Sequence, residues 1–122
     1  MSKTNEGRSP ADLWADTLDT TELPQHCGAL ETSFGFCCLG IGSLVAKDNG
    51  VAVECQYRGR LSGRTLDDQP AVQKWLGLAT PVGTYYEEDG QSRSLTILND
   101  MGASFKEIAA VIRRRPKGLF LE

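Results

Sequence analysis

A chain of 122 residues has the length of a single domain, large enough to bury one core and too small for two. Its composition, 40% hydrophobic and 24% charged, is that of an ordinary globular protein, and no window approaches the 18 consecutive apolar residues of a membrane span. The formal net charge of −3 argues against a general nucleic-acid binder. The polar start Met1-Ser-Lys-Thr-Asn-Glu-Gly-Arg8 lacks the apolar stretch of a secretory signal, so a soluble, cytoplasmic protein is expected.

Residues 1–8 are polar and expected to be disordered, with a single domain over 9–122. Ser9 then reads as a helix N-cap, Pro10 as the first helical residue, and Asp12 as a carboxylate placed near free backbone N–H groups. The helix is expected to run to about Asp19 with Leu13, Trp14 and Leu18 on its buried side. Thr20 to Pro24 breaks it, and His26 to Glu31 is expected as a short strand.

The most apolar segment, Phe34 to Ala46, predicts a buried helix from about Cys37 to Lys47, closed by Asp48-Asn49-Gly50. Its glycines, Gly40 and Gly42 among them, suit close approach by a neighbouring element. Val51 to Tyr57 alternates like a strand with Val51, Val53, Cys55 and Tyr57 on one face. A basic, glycine-containing turn follows from Arg58 to Thr65. Asp67 or Asp68 before Pro70 starts a short helix, with Val72, Trp75 and Leu76 inward and Gly77 as its stop.

Thr80 to Ser92 predicts a loop or hairpin, since Tyr85-Tyr86 can begin a strand and Asp89-Gly90 is a turn pair. Ser94 to Asp100 predicts a helix with Leu95 and Leu98 buried, and Gly102 makes the turn into the next. That last helix carries the clearest local signal. Ser104-Phe-Lys-Glu107 fits a capping box, Phe105, Ile108, Ala109 and Ile112 recur at helical spacing, Arg113 to Arg115 suit the C-terminal dipole, and Pro116 forbids continuation. The expected fold class is α+β: a small mixed domain with a short antiparallel sheet, a buried central helix and a C-terminal αα-hairpin.

Chemistry is sparse in this pattern. A DNA-reading helix-turn-helix would need a recognition helix after Pro116, and Phe105 and Ile108 are poor groove readers, so no direct DNA reading is expected. His26, Cys27, Cys37, Cys38 and Cys55 offer donors for zinc, but no C-x-x-C pair holds two thiolates on one knuckle. His26 with Cys37 or Cys38 is the one conceivable nucleophile and base. Phosphate-binding, hydrolase and metalloprotease motifs do not occur. Core packing of the thiols is the expected reading, with no catalytic residues and no cofactor; a thiol or zinc site at the four cysteines, or small-ligand sensing, is the alternative.

Charge is uneven. Residues 1–35 set Lys3 and Arg8 against Glu6, Asp12, Asp16, Asp19, Glu22 and Glu31, a net of −4. Asp12, Asp16, Asp19 and Glu22 are therefore the expected binding surface, an acidic face for a basic partner.

Taken together, Cys27-Gly-Ala-Leu30, Phe36-Cys-Cys-Leu-Gly40, Trp75-Leu-Gly-Leu78 and Leu98-Asn-Asp100 with Ser104-Phe-Lys-Glu-Ile-Ala109 resemble a set of small uncharacterised proteins of bacteriophages and their bacterial hosts. The resemblance spans roughly residues 10 to 115 and carries no activity to transfer. It implies an accessory protein of a phage or mobile element, made in the bacterial cytoplasm. Such a context points to a non-enzymatic binding protein, an inhibitor of a host defence effector such as a CRISPR nuclease, whose partner is a nucleic-acid-binding host protein.

Overall fold

The computed structural model describes residues 8–121. The disorder expected of residues 1–8 lies, apart from Arg8, outside the described residues; Arg8 itself is not loose, because it forms an ion pair with Asp16. Among the described residues the order is α1 (Pro10–Thr20), β1 (Glu31–Thr32), β2 (Gly35–Phe36), α2 (Cys38–Asp48), α3 (Pro70–Leu76), β3 (Thr84–Tyr86), β4 (Ser92–Ser94), α4 (Leu95–Asp100) and α5 (Phe105–Arg114). The α+β class holds, with two separate antiparallel hairpins in place of a single sheet.

The ends of the helices follow the local chemistry. Ser9 Oγ accepts the Asp12 N–H at 3.1 Å, and Ser104 and Glu107 make both bonds of the capping box, at 3.1 and 2.8 Å. Ser94 caps α4, and α3 ends at Gly77. Cys37 caps α2 in the place of a hydroxyl, its Sγ accepting the Gly40 N–H at 3.4 Å.

The central helix α2 is buried along most of its length, from Cys38 to Ser43 and at Val45 and Ala46. Trp14, Leu18, Leu39, Ile41, Ile108 and Ile112 are among the fully buried side chains. Burial of each such side chain contributes about 1.5–3 kcal/mol. The two glycines of α2 admit neighbours as their spacing suggests: a Cβ on Gly40 would meet Leu30 O at 2.0 Å, and one on Gly42 would meet Leu76 Cδ1 and Trp14 Nε1 at 3.0 Å. Trp14 Nε1 also donates to Cys38 O at 3.0 Å, which fixes α1 across α2.

Two expected strands do not form. Within 26–31 the chain turns at Gly28 (φ 96°), and pairing begins only at Glu31–Thr32, against Gly35–Phe36. Leu30 is instead held by its carbonyl, which accepts the Cys37 N–H at 3.2 Å. Over 51–57 only Val51 and Val53 pack on the core, while Cys55 and Tyr57 are exposed. The segment pairs only at its far end, in a single antiparallel bridge between Cys55 and Leu61, and at Glu54 a side chain stands on the other edge. Gln69, 1% exposed, accepts the Glu54 N–H at 2.8 Å and donates to Glu54 O at 2.7 Å and Ser62 O at 3.1 Å. Consequently α3 begins differently from expectation: Thr65 caps a 3₁₀ turn at Leu66–Asp68, and Gln69 precedes Pro70 without capping it.

Past Pro116 the chain folds back onto the body. Tyr86 N–H donates to Lys117 O at 2.8 Å, Ala79 N–H to Leu119 O at 3.0 Å and Leu121 N–H to Gly77 O at 2.7 Å, and Leu119 is fully buried.

Candidate functional site

Of the carboxylates that the sequence marks as an acidic binding face, Asp12, Asp16 and Asp19 lie on helix α1 and Glu22 follows it. Helix α5 lies alongside α1, and its cations answer the acids. Arg113 reaches Asp16 at 2.9 Å and Asp19 at 2.5 Å, Lys106 donates to Asp19 O at 2.6 Å, and Arg8 pairs with Asp16 from the other side. The Arg113 guanidinium hydrogen bond, opposed by partial desolvation and aided by Arg8, holds Asp16 below the usual carboxylate range. Arg113 is correspondingly raised by the same two carboxylates. Asp12 and Glu22 have no ion pair among the described residues, but two of four carboxylates spent on α5 leave a mixed-charge seam in place of a negative face.

The cysteines are not brought together as ligands. Cys37 and Cys38 are buried, Cys27 and Cys55 are exposed, and no group of three or more His, Cys, Asp or Glu side chains among the described residues is disposed to hold a metal. Burial pushes the Cys37 thiol up and the Cys38 thiol well up, so both stay protonated and are weak nucleophiles and ligands. Their contacts go to the backbone, Cys38 Sγ lying 3.7 Å from Leu95 O. The candidate base does not face them: His26 Nδ1 is 2.9 Å from Cys27 O, and its ring lies 5.5 Å from that of Phe34.

Two amides that the sequence reading passed over, Asn99 and Gln25, organise this part of the interior. Asn99 Oδ1 accepts from Cys38 N–H at 3.2 Å and from Gln25 Nε2 at 2.9 Å, while its Nδ2 donates to His26 O at 2.9 Å. Gln25 continues to Ala103 O at 2.8 Å and accepts the Phe105 N–H at 3.1 Å. One half-buried and one buried amide thus tie the 25–27 loop, the start of α2, α4 and the start of α5. The Leu98-Asn-Asp100 segment held the signal, an Asn inside an otherwise apolar helical face.

A cleft of about 790 Å³ opens where the β3–β4 hairpin meets the end of α5 and the returning 116–117 segment. Tyr86, Glu87, Glu88, Arg114, Pro116 and Lys117 line it. Tyr86 is 44% exposed and lies over Gly118, where a Cβ would meet its ring at 2.8 Å. Glu87 joins the walls, 3.1 Å from Arg93 on the hairpin and 3.7 Å from Arg114 on α5. Beside it Arg115 takes a left-handed backbone (φ 50°), with its guanidinium 5.0 Å from the Phe120 ring centre and 3.0 Å from Ser9 Oγ. An exposed aromatic between charges of both signs is suited to holding a polypeptide surface, since Tyr and Arg are the common anchors of such contacts. It contains no nucleophile and base pair.

A family model described as Domain of unknown function (DUF8296) matches residues 9–116. No curated protein and no solved structure matches the chain.

Proposed function

The chain belongs to the DUF8296 family, a domain of unknown function, and from its surface we propose a non-enzymatic binding protein of phage type that occludes a surface of a host defence effector, such as a CRISPR nuclease, in the bacterial cytoplasm. The observation that carries this reading is the cleft of Tyr86, Glu87, Glu88, Arg114 and Lys117, an aromatic anchor within a two-signed rim. Supporting it, the thiols that might have done chemistry are held neutral and turned to backbone. The resemblance to small phage proteins supplies the cellular setting. No helix among the described residues is long and apolar enough to cross a membrane, which leaves the cytoplasmic placement open to this reading.

The contact is thereby moved from the acidic face of α1, half of which is engaged with α5, to the hairpin side of the molecule. Expression in bacteria that carry an active defence nuclease, challenged with a targeted phage, tests it. Plaque formation is expected to be restored by the protein and lost with Tyr86→Ala or Arg114→Glu. Equal restriction with and without the protein across the nucleases tried removes the reading, and full rescue by both variants moves the contact away from the cleft.

A further inference from the structure

The segment between β2's following helix and α3 carries a second surface that the cleft does not use. Residues 54–62 form a narrow hairpin: Ser62 N–H donates to Glu54 O at 3.0 Å, Gln56 N–H to Arg60 O at 2.6 Å, and Cys55 pairs with Leu61. Its tip, Tyr57–Gly59, holds Arg58 in the left-handed region (φ 77°, ψ 13°), a conformation that disfavours every residue with a Cβ and is usually given to glycine or asparagine. The arginine stands where its backbone is unfavourable, and its guanidinium lies 5.7 Å from the centre of the Tyr57 ring. That ring is 88% exposed, the most exposed of the large apolar side chains among the described residues.

The charges around it are unopposed. Arg58, Arg60 and Arg64 form no ion pair among the described residues, whereas Arg8, Arg93, Lys106, Arg113 and Arg114 all do. Residues 56–64 contain these three arginines and no acid, so in a chain of net −3 everything else sums to −6. The carboxylates stand toward the base of the hairpin: Glu54 opens it, Glu31 Oε1 accepts the Leu61 N–H at 3.0 Å, and Asp68 lies against Gly63. The tip itself, Gln56 to Arg60, carries two arginines and no acid.

We propose that this tip is a contact for single-stranded nucleic acid, in which Tyr57 stacks on one unpaired base and Arg58 and Arg60 take the flanking phosphates. A projecting ring beside guanidinia meets both needs of such a strand, a flat apolar face for a base and cations for its backbone. Unlike the cleft, the tip has no acid beside its ring, so it lacks the two-signed rim of a polypeptide contact and suits a strand that alternates anions with flat apolar faces. A duplex hides its base faces and brings many phosphates toward the negative body. Nothing on the tip reads base edges, so the contact is indifferent to sequence. It stands apart from the cleft and does not depend on the defence-inhibitor reading, whose variants lie on other elements.

Fluorescence anisotropy with a labelled twelve-nucleotide oligo(dT), at low salt and then through a salt series, tests the proposal. The full chain is expected to bind with a log–log salt slope of roughly −1.4, about 0.7 for each of two phosphates. Tyr57→Ala should weaken binding about tenfold and leave that slope unchanged. Arg58→Gly should weaken binding and flatten the slope by about 0.7 while raising the unfolding midpoint, since it removes the charge and relieves the backbone together. A merely structural arginine would move only the midpoint. Absence of binding to the oligonucleotide overturns the proposal. So does equal affinity for a duplex of the same length, and so does polyglutamate binding that matches the oligonucleotide and ignores Tyr57→Ala, which assigns the tip to an acidic protein.

Discussion

The Gln25 and Asn99 amides and the ionic seam between α1 and α5 both join segments far apart in the chain, but they work in different surroundings. Asn99 is 5% exposed and bonds two backbone groups and the Gln25 amide, and the Cys38 N–H among them is buried. Asp16 and Arg113 have side chains 46% and 42% exposed, and water replaces each partner readily. Similar hydrogen-bond lengths, 2.9 Å in both places, therefore conceal unequal contributions. Distance describes a bond, whereas the cost of losing it is set by what the orphaned group meets next.

The comparison is broken most directly at Asn99. Asn99→Leu leaves the Cys38 N–H, His26 O and one Gln25 donor without their partner, and a loss of about 3 kcal/mol is expected by chemical denaturation. A loss below about 1 kcal/mol would mean that water reaches these groups. Gly40→Ala probes the same interior sterically. Its Cβ would meet a backbone oxygen, Leu30 O, which cannot rotate away, so about 2 kcal/mol or more should be lost.

At the exposed seam the expected effects are smaller and depend on solution conditions. Asp16→Asn should cost less than about 1 kcal/mol at neutral pH and low salt, and still less at high salt. The folded-state pKa of Asp16 is lowered, so its contribution is present in full above the usual carboxylate range and is lost as pH falls through that range to the folded value. Unfolding midpoints measured from about pH 5 down to pH 3 should fall less steeply in Asp16→Asn than in the parent chain. Parallel curves would show that the pair contributes nothing to stability. The seam also sharpens how charge reversal on α1 must be read: reversing Asp16 and Asp19 loosens α5 as well as altering the surface, so binding assays on such variants need the folded fraction measured alongside.

Much of the helical framework could be read along the chain because helix ends are local. Ser9 and Ser104 bond to N–H groups three residues on, Gly77 stops α3, and the Phe105, Ile108 and Ile112 stripe faces inward as spaced. Strands were less legible, since alternation says that a segment fits a sheet without supplying a neighbour. At 51–57 the backbone pairs only at Cys55, with Leu61, and Glu54 is met by the amide of Gln69. The site was least legible. The α1 acids stand out in the sequence, but the α5 cations that answer them come from 87 to 97 positions away, and the cleft is assembled from a hairpin, a helix end and a returning segment.

The amino-acid sequence by itself determined where helices begin and end, which of their faces are apolar and that the chain builds one small α+β core, because each of those rests on bonds and periodicities within a few residues. Only the tertiary structure decided which charges are spent on folding and which are left over. Pairing between α1 and α5 engages Asp16 and Asp19, whereas Arg58 and Arg60 sit on a tip and form no ion pair among the described residues. Electrostatic attraction acts through space, so a count of charges along the chain cannot say which of them face each other.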